Sequence, residues 1–243
     1  MTKNPLFSVI VPAYNEEQSI KNTLRSLKEQ TFRDFEIIVV NNNSTDKTAE
    51  IAKKEVKKVL LEKKQGYLYA VDRGFREAKG EFVAAADADA IYFPDWLERV
   101  NRWIEKNPEI VAVYGTGRFY DHNPLVNYVS SILYSFWLHF SKLVGFENTP
   151  GFNFVMRKKA YISAGRYDSK KFNVIGSDAE LGIRVSKVGH MVLDTSIVVL
   201  ISSRRFKKNG LIKTTLLLLN TWLNLFLKKT PKMTYNQYNI VRR

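Results

Sequence analysis

The chain has 243 residues, 45% hydrophobic and 26% charged, a balance that supports a sizeable core and excludes intrinsic disorder. Cysteine is absent, which removes disulfides and thiolate metal sites, and the three histidines, His122, His139 and His190, are too scattered for a zinc site. The net charge of +14 is uneven: from Ile201 to Arg243 there are ten Lys or Arg and no Asp or Glu, so this tail asks for an anionic membrane surface, a nucleic acid or a phosphorylated substrate.

Met1 to Pro5 leads directly into a strand-like run with no leader-peptide pattern, and no run of about twenty uninterrupted apolar residues is present to span a bilayer. Phe7 to Pro12 is a β-branched apolar run stopped by proline, the signature of a buried first strand. Ala13 to Glu17 turns into a helix with Ile20, Leu24 and Leu27 on its apolar face, Asn15 serving as N-cap. Glu36 to Val40 is a second buried strand. It ends in the polar cluster Asn41 to Asp46, with a helix from about Lys47 to Lys54. Val59 to Leu61 is a short third strand, Gly66 to Lys79 a helix broken by Gly80, and Glu81 to Ala86 a fourth strand.

Strand and helix alternate, which implies a parallel sheet with helices on both faces and ligands at the carboxyl ends of the strands. Three polar clusters fall on that one edge: Tyr14 to Glu16, Asn41 to Asp46, and the pair Asp87 and Asp89. In an extended backbone residues two apart face the same way. Two such carboxylates beside a diphosphate are what Mg2+ or Mn2+ asks for, since these ions keep waters and borrow substrate oxygens. A Gly-x-Gly-x-x-Gly or Walker A sequence follows none of the strands, so an ordinary dinucleotide or P-loop site is disfavoured.

Pro94 to Lys106 reads as a helix striped by Trp96, Leu97, Val100 and Ile104, and Ile110 to Tyr120 as a long strand. Leu125 to Phe146 carries Tyr128, Ile132, Leu133, Phe136, Trp137 and Phe140 at helical spacing. Such a stripe is first a core face; the alternative is an interfacial helix touching lipid. Gly151 to Met156 is a strand returning to the core, Gly165 to Asp168 a turn. Ser177 caps a helix that places Asp178 and Glu180 in its first turn, where they complement the helix dipole. Met191 to Ile201 is a strand, Ser203 to Lys208 a basic cluster, and Leu211 to Leu227 an amphipathic helix. Residues 1–209 form one domain in two halves, about 1–120 and about 121–209, with 210–243 as a basic helix and tail.

These motifs in this order resemble the inverting family 2 glycosyltransferases. Ser8 to Glu17 is similar to the family's opening strand and nucleotide-contacting turn, and Glu36 to Asp46 to its second strand and base-recognition loop. Ala78 to Glu81 followed by Asp87-Ala88-Asp89 resembles the approach to the metal-binding DxD. Gly165 to Asp168 and Asp178 to Leu181 with Arg184 resemble the acceptor side. Departures are Asn42 where an acidic residue is common, Ser177 where Glu often precedes the catalytic Asp, and Asp72 in place of Asn.

The resemblance implies a GT-A fold, a Rossmann-like three-layer α/β sandwich with a mostly parallel central sheet, here extended by the C-terminal amphipathic helix. It implies transfer from a nucleotide-diphosphate sugar, a UDP-sugar in preference to a GDP-sugar, to an acceptor hydroxyl or phosphate. Asp178 is the expected base, Asp89 with Asp87 the expected Mg2+ or Mn2+ ligands, and Pro12, Tyr14, Glu16 and Asn42 the expected nucleoside pocket. Arg204 and Arg205 would clamp the diphosphate or an acceptor phosphate. The basic tail and its helix suit a cytoplasmic enzyme held peripherally on the anionic inner face of a membrane, with a polyprenyl phosphate or glycan acceptor. In the alternative this helix packs on the domain or on a second copy in a homodimer. The rival readings are a sugar-nucleotide binder without catalysis and a basic nucleic-acid-binding α/β protein; the one-edge clustering of polar residues speaks against nucleic acid.

Overall fold

The computed structural model describes residues 4–168 and 176–227; the basic tail over 228–243 lies outside the described residues. The first half alternates as its hydrophobic pattern dictates: β1 (Phe7–Ala13), α1 (Ile20–Lys28), β2 (Phe35–Asn41), α2 (Thr48–Glu55), β3 (Lys58–Leu61), α3 (Tyr67–Glu77) and β4 (Phe82–Ala85). The second half holds β5 (Ile91–Tyr92), α4 (Trp96–Lys106), β6 (Ala112–Phe119), α5 (Pro124–Leu143), β7 (Phe154–Arg157), α6 (Lys158–Ser163), α7 (Ser177–Val185), β8 (Met191–Ile201), α8 (Arg204–Asn209) and α9 (Leu211–Phe226). One eight-stranded sheet runs β3-β2-β1-β4-β7-β6-β8-β5. β7 pairs antiparallel with β4 and β6, and β5 antiparallel with β8, while the other pairings are parallel.

Two cores flank this sheet, so it is the middle of three layers. Val9, Val11 and Ala84 face one side with Ile20, Leu24 and Leu27 of α1 and Trp96, Leu97 and Val100 of α4. Ile10, Val40 and Val83 face the other with Val71 and Phe75 of α3, Tyr161 of α6 and Leu181 and Val185 of α7. Alternation along each strand sends successive side chains to opposite faces, and both faces are covered, which is why these strands read as unbroken apolar runs.

The structure corrects several sequence expectations. Asn15 does not cap α1, which starts five residues later after Ser19. Instead Asn15 takes a left-handed φ of 52° and joins a turn, a conformation that Asn tolerates. Gly176, at φ 93°, precedes α7 in place of Ser177, which is the first helical residue. Gly151–Asn153 form a 3-10 turn before β7 begins, and the basic runs after Arg157 and Ser203 are the helices α6 and α8.

The largest correction concerns α5. Its aromatic stripe is not core: Tyr128 is 64% exposed, Leu133 61% and Phe136 66%, while Leu138 and Ser141 are its buried residues. α9 lies against it. Trp222 packs at a tilt against Trp137 and Phe146, with ring centroids 4.7 and 5.4 Å away, and its Nε1 donates to Ser141 Oγ at 3.1 Å. The two helices therefore share a narrow seam and leave Ile212, Leu216, Leu219 and Leu223 exposed beside the α5 residues. No helix among the described residues is long and apolar enough to cross a membrane.

Candidate active site

The carboxyl ends of β1, β2, β4 and β8 lie on one edge of the sheet, because these strands run in the same direction. The antiparallel β7 starts at that edge, in register with the end of β4 (Ala84 opposite Val155). Residues just before β7 therefore meet residues just after β4.

The first wall is made by two loops that interlock. The backbone N–H of Glu16 donates to Thr48 Oγ1 at 2.7 Å and that of Glu17 to Asp46 Oδ2 at 3.1 Å. In return Lys47 N–H reaches Glu17 Oε2 at 3.1 Å and Thr45 N–H reaches Asn15 Oδ1 at 2.9 Å. Pro12 is buried in β1 opposite Val40, and Tyr14 is half-buried at the mouth of the turn. Asn42 is buried and committed to the protein. Its Nδ2 donates to the carbonyls of Glu62 at 3.0 Å and Lys64 at 2.8 Å, and its Oδ1 accepts from Gly66 N–H at 2.7 Å. The side chain therefore ties the approach to α3 onto the end of β2.

Asp87 and Asp89 follow β4, yet the backbone there is a turn closed by Ala90 N–H on the Asp87 carbonyl at 3.1 Å. The strand alternation expected to align the two carboxylates does not apply. A different feature brings them together: both lie near the phenol of the buried Tyr92. That phenol has its pKa pushed well up, first by burial and then by the charges of Asp87 and Asp89. Tyr92 Oη donates to the Phe152 carbonyl at 3.0 Å, so the same ring connects this turn to the start of β7. The pair offers hard oxygen donors only, which suits Mg2+ or Mn2+. No group of three metal-binding side chains occurs among the described residues, so further ligands would be water and substrate oxygens.

Arg204 crosses the site. Its guanidinium grips the buried Glu16 carboxylate with two nitrogens and pairs with Asp89 Oδ2 through Nε at 2.8 Å. Glu16 also accepts from Ser19 Oγ at 2.7 Å. The structure thus ties three candidate residues together. The anchor for this helix went unnoticed in the sequence: Asp121 accepts from Ser203 N–H at 2.7 Å and Ser202 Oγ at 3.0 Å and pairs with Lys207 at 3.5 Å. Arg205 points its charge elsewhere, toward Asp178.

Asp178 sits in the first turn of α7 with its carboxyl group against Gly151, where any β-carbon would clash with it. Its carbonyl accepts from Thr149 Oγ1 at 2.6 Å and its Oδ1 from Tyr167 Oη at 2.5 Å. Burial raises its pKa above the ordinary carboxylate value, against the opposing pull of the Tyr167 hydrogen bond and the Arg205 charge. Glu180, expected beside it, instead forms a two-pronged pair with Arg184 at 2.8 Å and 2.8 Å. Tyr167 and Gly151 are the site residues that sequence reasoning passed over. The Gly165-Arg166-Tyr167-Asp168 turn was the available signal for the first of them.

A family model described as glycosyl transferase family 2 matches residues 8–164. The chain is 39% identical over 119 residues to an uncharacterized glycosyltransferase of Haemophilus influenzae, across 46% of this chain and 37% of that protein. It is 30% identical over 172 residues to the poly-beta-1,6-N-acetyl-D-glucosamine synthase of Staphylococcus epidermidis, across 67% of this chain and 42% of that protein. The matched region thus spans well under half of either relative. Among solved structures, the mannosyltransferase PcManGT from Pyrobaculum calidifontis, in complex with GDP-Man and Mn2+, superposes with a TM-score of 0.64 at 20% identity, covering 87% of this chain and 63% of that one. S. aureus TarS 1-349 in complex with UDP-GlcNAc superposes with a TM-score of 0.57 at 20% identity, covering 78% and 56%. At this identity the solved structures establish the fold, which is the GT-A arrangement of a mostly parallel sheet between helices.

Proposed function

Because the chain belongs to glycosyl transferase family 2, we propose that it moves a sugar from a nucleotide-diphosphate sugar to an acceptor hydroxyl or phosphate, with inversion at the anomeric carbon. The observation that supports this most is the placement of the Asp178 carboxyl against Gly151, just before β7, at the sheet edge that also carries Asp87 and Asp89; its burial also pushes the pKa up. A base working near neutral pH needs such an upward shift, and groups of this kind typically contribute about a hundredfold to ten-thousandfold. Asp178 takes the acceptor proton as the oxygen attacks the anomeric carbon. Asp89 and Asp87 would hold a Mg2+ or Mn2+ ion, whose chemistry there would be Lewis acidity toward the leaving diphosphate. The interlocked loops after β1 and β2 wall the nucleoside, with Pro12, Tyr14, Glu16 and Asn42 shaping the wall. Arg204 turns from Glu16 and Asp89 toward the diphosphate, and Arg205 stands by the acceptor at Asp178. A UDP-sugar is the favoured donor and a GDP-sugar the alternative, and residues 121–209 receive the acceptor.

The acceptor is lipid-linked in this reading. The exposed apolar faces of α5 and α9 support it, together with the exposed Lys208 and Lys213 that flank the start of α9 in sequence. Apolar side chains under a cationic rim match a peripheral site on an anionic bilayer.

The experiment follows nucleotide release from UDP-GlcNAc and GDP-mannose with Mn2+. Asp178→Asn is expected to lower turnover at least a hundredfold while the donor still raises the melting temperature, since a ligand of the folded state stabilises it by mass action. Ordinary turnover in that variant sinks the assignment.

A further inference from the structure

The Asp178 carboxyl is held from two sides by parts of the fold that are themselves fixed. On one side, Tyr167 donates to Oδ1 at 2.5 Å. The Tyr167 backbone N–H in turn donates to Tyr161 Oη at 3.1 Å, and Tyr161 Oη donates to Asp72 Oδ1 at 2.7 Å, with Arg76 closing the chain on Asp72. The Tyr167 ring packs on Phe75 and Tyr161 with centroids 6.3 and 5.8 Å away. On the other side, the Gly151 α-carbon lies against Oδ2 with no side chain between them. Gly151 cannot retreat, because Asn153 locks its turn: Nδ2 donates to the carbonyls of Thr116 and Ile197 at 2.9 Å each, and Oδ1 accepts from Trp96 Nε1 at 2.9 Å.

We propose that Tyr167 is the positioning residue of this base, its phenol fixing the Asp178 carboxylate against Gly151 so that the second oxygen is the one left to meet the acceptor hydroxyl. The inference rests on Asp178 being the base. A tyrosine hydroxyl has one proton to give, and giving it to Oδ1 sets the plane of the carboxylate and favours its charged form. Among the described residues, the other groups facing the carboxyl are Tyr134 from α5 and Arg205 from α8, with Tyr67 of α3 behind Tyr167. Of these, Arg205 also favours the charge, so Tyr167→Phe leaves Asp178 ionisable but harder to ionise.

The test is a carbon-13 NMR titration of the aspartate carboxyl carbons in the 28.1 kDa protein, with the Asp178 signal identified by its loss in Asp178→Asn. Tyr167→Phe is expected to move the Asp178 midpoint to higher pH. Uniform fluorotyrosine labelling, which makes every phenol a stronger donor while keeping the ring, is expected to move it lower. In UDP-GlcNAc turnover with Mn2+, the Phe variant is expected to lose about tenfold in kcat with donor KM unchanged, the size of one hydrogen bond to a charged group. The Asp178→Asn, Tyr167→Phe double variant should then lose nothing beyond the single Asn change. An unmoved midpoint in both comparisons, or a raised donor KM with an unmoved midpoint, overturns the positioning role. The NMR titration reads Asp178 whether or not it is the base, so normal turnover in Asp178→Asn would defeat the base assignment separately.

Discussion

Asp178 carries a folded-state pKa above its unfolded one, with burial as the leading cause. For such a group the stability contribution is fully present below the unfolded pKa and is lost as pH rises through the folded value. At neutral pH, above the unfolded value, the wild-type carboxyl is therefore a strain on the fold that an amide does not share. Asp178→Asn should melt higher than wild type at pH 7, by about 2–4 °C for each kcal/mol relieved, and the difference should fade on acidification. Differential scanning calorimetry across pH reads this directly, and a variant that melts lower at pH 7 would contradict it. Asp178 was visible in the sequence from the motif it shares with the family. Its environment was not, because Tyr167 and Gly151 reach it from separate segments and no local pattern announces a long-range hydrogen bond. Arg204 illustrates the same limit: its charge was legible, but not that Glu16 and Asp89 would both claim it.

The loops after β1 and β2 hold each other through backbone groups, and Asn42 fastens the next segment to them. Removing that amide by Asn42→Ala strips the bonds to Glu62, Lys64 and Gly66 and leaves the buried Gly66 N–H without its acceptor. A cost of about 1–3 kcal/mol in urea unfolding is expected, along with weaker donor binding as the wall loosens. At this scale the strands and helices of the first half were legible, since both faces of the sheet are covered and buried strands announce themselves as apolar runs. Helix starts were less so: Asn15 has the right chemistry for a cap, but a left-handed turn used it first. The stripe on α5 went wrong for a different reason. Periodicity reports that a helix has an apolar face, and only the fold reports whether anything covers it.

Viewed whole, the molecule is a three-layer domain with its apolar-faced α5–α9 pair on the outside. Sequence charge pointed to an anionic surface through the basic tail and α9, with lipid contact by α5 kept as the alternative to a core face; the fold sets the two helices side by side. Phe136→Glu combined with Leu223→Glu alters two exposed side chains, so the fold and donor binding should persist. Flotation with phosphatidylserine-containing vesicles is expected to fall at least tenfold, and unchanged flotation would remove these helices from the account. The pair also touches the helix that carries Asp178. Gly176, which precedes α7, lies against Thr221 of α9, and Ala179 packs with Leu225 and Phe146. Were α9 seated on a surface through this contact, its seating and occupation of the proposed site would be linked equilibria. Whatever factor a surface changes substrate affinity by, the substrate must change surface affinity by the same factor. Flotation repeated with saturating donor measures that factor, and a protein built this way would register its substrate load as a residence time.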